Sequence, residues 1–174
     1  MEILEAIRKR YSCRKYEPKP LEPEKLNTVL EAARLAPSAK NLQDWRFVVS
    51  TEPDIKSRLA QAANNQTFIA DAGAIITGCS ISDYTMRCGQ NVAPIDLAIA
   101  MEHIALQATS LGLATCWIGS FYPEKVRDVL NIPSNIEVVE LMALGYPADS
   151  PKPHKRVPLD EIVSRNKWEF ENQS

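Results

Sequence analysis

The stretch from Ala93 to Leu113, "APIDLAIAMEHIALQATSLGL", constrains this chain more than any other. Ile95, Leu97, Ile99, Met101, Ile104 and Leu106 point in nearly every direction around a helix axis, so little polar face is left for water. Pro94 suits a first turn and Gly112 a stop. A helix apolar all round must be wrapped by the rest of the chain or by a second copy. It therefore belongs at the centre of the molecule or of an interface.

The rest of the chain supplies elements to wrap it. Ile3, Leu4, Ile7 and Tyr11 at helical spacing predict a helix over residues 2–10. "KPLEPEKLNTVLEAARLAP" predicts a second, with Pro23 in its first turn, Leu26, Val29, Leu30 and Ala33 on its buried face, and Pro37 at its end. "PDIKSRLAQAAN", "YPEKVRDVLNI" and the short "LDEIVS" read as further helices. "WRFVVS", "AGAIITGCS", "ATCWIG" and "IEVVELMALGYP" read as strands, and "SAKNLQD" and "SDYTMRCGQNV" as polar loops. Interleaved helices and strands predict an α/β or α+β class, with helices around one mixed sheet. No linker divides the chain, so one domain over residues 1–174 is expected.

Several functions are excluded by absence. Lys and Arg number 20 against 22 Asp and Glu, a net charge of -2, unlike a general nucleic-acid binder. No run approaches the roughly 18 apolar residues that span a membrane, and "MEILEAIRKRYS" does not read as a signal peptide. Four separated cysteines and two histidines make a zinc site unexpected; free thiols and a cytoplasmic location are the expectation. Glycine-rich dinucleotide and phosphate loops and the G-x-S-x-G elbow are missing.

The basic stretch "RKRYSCRKY", residues 8–16, is local charge on an acidic chain. Arg10 and Ser12 offer donors that match a phosphate, and Arg156 in "KPHKRVP" could close a two-sided clamp. The other reading is a cation cluster at a helix C-terminus, where the dipole favours positive charge. Asp96 and His103, seven apart on one helix face, could join a Ser or Cys in a nucleophilic site or serve as buried polar supports. Cys13 and Cys116 read as packing thiols. Ser38, Asn41 and Gln43 make a polar turn that a planar polar ligand could approach, or an ordinary loop after Pro37.

Four segments in order resemble the nitroreductase family of flavin enzymes across nearly the whole chain. "RYSCRKY" resembles its R-x-S-x-R-x-[FY] signature, "APSAKNLQDWRFVV" its A-P-S-x-x-N-x-Q-P-W-x-F-x-V-V segment, "LGLATCWIG" its L-G-L-G-T-C-W-I-G, and "GYPADSPKPHKRVPLDEIV" its closing G-Y-P…R-x-P-L-E-E-I-V. The resemblance implies an α+β fold with a central mixed sheet, and a homodimer with FMN at the subunit interface. It assigns Arg10, Ser12 and Arg156 to the FMN phosphate and a backbone contact to Tyr11. Arg14 falls near flavin N1 and O2, where a cation would stabilise the reduced ring. Pro37, Ser38, Ala39 and Asn41 would reach the flavin from the other subunit. Ile118 and Gly119 would turn backbone N–H groups to N5 and O4, and Asn65 would read the pyrimidine edge.

The activity implied is an FMN-dependent oxidoreductase. NAD(P)H gives a hydride to flavin N5, and a small organic acceptor (nitroaromatic, quinone, flavin or enone) takes the electrons in a ping-pong sequence. No protein nucleophile or dedicated acid is expected, since the cofactor carries the chemistry. Two other readings stay open: an FMN storage or sensor protein, and a divergent flavin chemistry such as reductive dehalogenation or flavin breakdown. The chain departs from the pattern where Ala39 replaces a frequent Ser, Asp44 a Pro, and His154 a frequent Lys. Residues 80–93 form only a small loop where longer members carry a helical insert.

Overall fold

The computed structural model describes residues 2–152 and 155–170. Its helices are α1 (Ile3–Lys9), α2 (Pro23–Arg34), α3 (Pro53–Ala62), α4 (Val92–Ser110), α5 (Pro123–Leu130) and α6 (Leu159–Ile162). Its strands are β1 (Trp45–Ser50), β2 (Ala74–Ser80), β3 (Ala114–Ile118) and β4 (Glu137–Gly145). Every expected element forms, with trimmed ends: α2 starts at Pro23 and stops before Pro37, and Arg10 already leaves α1 in an extended conformation. Two short 3-10 turns, Ala39–Asn41 and Thr67–Ile69, have no counterpart in the sequence reading.

The four strands run in the order β1-β2-β4-β3. All three pairings are antiparallel, which corrects the expected mixed sheet. Residue patterning fixes element type, whereas strand direction depends on how each connection crosses the sheet, which the pattern does not encode. Among the described residues the one parallel pairing is an isolated bridge between Ser12 and Thr115.

Both sheet faces are covered, so β2 is buried along its whole length. Ile75 and Leu141 pack with Leu59, Ile69 and Val126 beneath α3 and α5. Their neighbours Ile76 and Met142 point the other way, against Val29, Leu97, Met101 and Ile104 of α2 and α4. Each such side chain contributes about 1.5–3 kcal/mol by leaving water. As its composition demands, α4 lies inside, wrapped by α1, α2 and the sheet. Ala100, Ala105 and Ala108 let its neighbours approach closely. Gly78 does the same on β2, because a Cβ there would collide with the Leu97 side chain.

Residues 10–17 cross the outer edge of β3. The Cys13 N–H donates to the Thr115 carbonyl at 3.0 Å, and the Glu17 N–H to Tyr146 at 2.9 Å. This covers part of an open edge and fixes the basic stretch beside β3. No described helix is long and apolar enough to cross a membrane. Cys13, Cys79 and Cys116 are buried free thiols, and Cys88 is exposed.

Candidate functional site

The Ser12–Thr115 bridge anchors the basic stretch. The bridge is parallel and local: after it, Lys15, Tyr16 and Glu17 bond to Ala148, Pro147 and Tyr146 just past the end of β4, so the stretch crosses the edge of β3 only around Thr115. Ser12 and Arg14 are exposed on either side of buried Cys13, the alternation of an extended run. Burial pushes the Cys116 thiol up, and the positive charges of Arg14 and Arg10 partly offset it, so both cations lie close to β3. Ile118 lies roughly 10 Å along the strand from Thr115.

Arg10 and Arg156 meet at one cleft of about 520 Å³, lined also by Ile7, Arg8, Tyr11, Pro151 and Lys152. Among the described residues, four cations and no carboxylate line it. Arg10 has only a loose contact with Glu102, 3.8 Å from Nε, an arrangement that leaves most of its guanidinium available. The sequence missed Arg8 and Lys152. It also missed Asp149, which holds the closing loop in place. The Tyr11 hydroxyl donates to the Asp149 carbonyl at 2.9 Å and to its carboxylate at 3.0 Å. Burial pushes the Tyr11 phenol and the Cys13 thiol up from their ordinary values, and Cys13 packs in the core beside Tyr16. His154 lies outside the described residues.

Ile118 closes β3 and the exposed Gly119 follows, with open space where a Cβ would stand. Asn64 and Asn65 form the next turn in left-handed conformations, which asparagine tolerates. The Gln66 side chain donates to the Ser120 carbonyl at 3.0 Å, bracing Asn65 against the Gly119 turn. Arg10, Tyr11, Ser12, Arg14, Asn65, Ile118, Gly119 and Arg156 therefore flank one edge of the sheet.

Pro37, Ser38, Ala39 and Asn41 do not join them. They precede β1, the opposite edge strand, three strand spacings or roughly 14 Å away. Their turn is tightly held. The Ala39 N–H donates to the Asp96 carboxylate at 3.0 Å, and the Gln43 N–H to Ser38 Oγ at 3.0 Å. Lys40, Asn41 and Gln43 all adopt positive φ. Lys40 Nζ sits 4.3 Å over the Tyr84 ring, so the short 81–91 loop lies against this turn. Asp96 is thus a support for the turn. His103 donates from Nδ1 to the Ala32 carbonyl at 3.2 Å, and no triad forms with Asp96.

The family model described as "Nitroreductase family" matches residues 7–80 and 63–146. The chain belongs to the nitroreductase family. A crystal structure of a nitroreductase family protein from Clostridium difficile 630 is 38% identical, with a TM-score of 0.87, covering 97% of this chain and 100% of that one. An NADH dehydrogenase of Thermus thermophilus is 30% identical over 91% of this chain and 93% of its own length. The NADPH:FMN oxidoreductase of Vibrio harveyi, solved in complex with NAD+, is 26% identical with a TM-score of 0.89, covering 98% of this chain and 79% of that one. This protein is an oxidoreductase of a family whose members are named NAD(P)H nitroreductases and flavin oxidoreductases.

Proposed function

We propose that this protein binds FMN and takes a hydride from NAD(P)H for delivery to a small organic acceptor. The carrying observation is the convergence of Arg10 and Arg156, distant in sequence, on one cleft lined by no carboxylate among the described residues. A phosphate monoester fits that donor set, since each guanidinium offers a planar fork to its oxygens. Arg10, Ser12 and Arg156 would hold the phosphate, with Tyr11 adding a backbone contact. Arg14 would then sit beside the flavin's N1 and O2, Ile118 and Gly119 would present N–H groups to N5 and O4, and Asn65 would face the pyrimidine edge. When bound, FMN supplies the two-electron chemistry, accepting hydride at N5 and passing electrons to a nitroaromatic, quinone, flavin or enone in a ping-pong sequence. Arg14 contributes by stabilising negative charge at its end of the ring. Pro37, Ser38, Ala39 and Asn41 sit too far from this edge in their own chain, which supports a homodimer in which each chain completes its partner's site.

The test is the absorption spectrum and mass of the purified protein. A yellow dimer with about one FMN per chain, bleached by NADH or NADPH without oxygen, is the expected result. A colourless protein that cannot be reconstituted with FMN overturns the reading.

A further inference from the structure

Behind Asn65 lies a second cleft, of about 600 Å³, between α3 and α5. Arg58, Asn64 and Asn65 face Tyr122, Lys125 and Asp128 across it. Its size is that of a small-ligand site. Arg58 and Lys125 are exposed, and neither forms an ion pair among the described residues. Tyr122 is 44% exposed, with Lys125 Nζ 4.4 Å over its ring. With Gln61 also on its wall, the cleft combines two cations, an aromatic face, three side-chain amides and one carboxylate. A polyanionic strand would be repelled by Asp128 and would overfill this space. A single nucleotide uses every feature: phosphates on the cations, ribose hydroxyls donating to Asp128, a base against Tyr122. Asn65 belongs both to this cleft and to the candidate flavin edge, so a ligand here continues directly into the redox site.

We infer that the α3–α5 cleft receives the adenosine-phosphate half of the reduced dinucleotide, with Arg58 and Lys125 on its phosphates. The inference rests on the hydride-donor reading above. Its test compares NAD(P)H with benzyl dihydronicotinamide, a donor lacking the adenosine half, and uses ADP-ribose as the binding probe on the FMN-loaded protein. ADP-ribose should bind and compete with NAD(P)H. In the Arg58→Glu/Lys125→Glu variant the ratio of kcat/KM for NAD(P)H to that for benzyl dihydronicotinamide should fall about tenfold, with the ADP-ribose Kd rising equally. The Arg58→Gln/Lys125→Gln variant should show a smaller change in the same direction. An unchanged ratio and unchanged ADP-ribose affinity overturn the assignment. If the unaltered protein holds no FMN and oxidises neither donor, the hydride-donor reading fails by itself. ADP-ribose titration of that protein and of the variants still decides the cleft.

Discussion

Arg10 is the residue on which the cofactor reading leans most. Replacing it with Ala should weaken FMN retention by about 1.5–3 kcal/mol, the range for a hydrogen bond to a charged group. Fluorescence titration of released flavin measures this, and an unchanged Kd removes Arg10 from the site. Arg14→Ala should act differently: at the ring end it should lower the flavin's reduction potential more than its affinity, which a redox titration separates. Asp96→Asn should leave Arg10's cleft intact but loosen the turn at Ala39, because the carboxylate accepts that N–H from α4. Asparagine keeps an acceptor oxygen and loses only the charge, so the expected loss is about 1 kcal/mol, the excess of a charge-assisted over a neutral hydrogen bond, read as a lower midpoint in urea. The basic stretch was legible because charge concentrates there on an otherwise acidic chain, whereas the separate roles of Arg10 and Arg14 came from the resemblance to the family and not from charge, which fits a helix-end cation cluster equally well. Asp149 was not legible. It contacts Tyr11 across 138 positions, and nothing local to either residue announces the partner.

Elements were more legible than their arrangement. The all-apolar face of α4 predicted burial, since no packing leaves such a helix in water. What lies on each side of it did not follow, because Ala and Leu suit any close neighbour. Gly78 shows the gap: in sequence it is one small residue in an apolar strand, and only the fold shows Leu97 filling the space above it. Gly78→Ala should therefore destabilise the protein by about 1–3 kcal/mol, the usual cost of overpacking, or roughly 2–12 °C in Tm. Leu97→Ala makes room for the new methyl group. The double variant should thus be more stable than the sum of the two losses predicts, and strict additivity would show that the two sites do not touch. The antiparallel sheet was missed for a related reason. Helical connections between strands suggested parallel pairing somewhere, yet the one connection that returns the chain in the same sense, from β2 through α4 to β3, skips a position that β4 then fills antiparallel to both.

At the scale of the molecule, the proposed division of the site between two sheet edges would tie cofactor binding to assembly. Leu159, Ile162 and Trp168 near the chain's end are exposed large apolar residues, as is Ile3 at its start. In the proposed dimer, a second copy that covers such surface would also bring the Pro37–Asn41 turn to the flavin. FMN retention should then fall on dilution together with the dimer. The response of the whole fold to pH centres on Glu140. It sits half-buried on β4 opposite Gly78, and burial raises its carboxyl to about 7 from an ordinary value of 4.5. A carboxyl raised in the folded state holds its proton there more tightly than in the unfolded chain. Stability from this group is therefore fully present below pH 4.5 and declines as pH rises through 7. Partial exposure screens the effect, which leaves a cost on the order of 1 kcal/mol at pH 8. Glu140→Gln keeps the shape and cannot ionise. It should raise Tm by roughly 2–4 °C at pH 8 and leave it nearly unchanged at pH 4.5. An equal shift at both values would mean that the carboxyl stays in one protonation state throughout, and that the descending limb of the stability curve has another source.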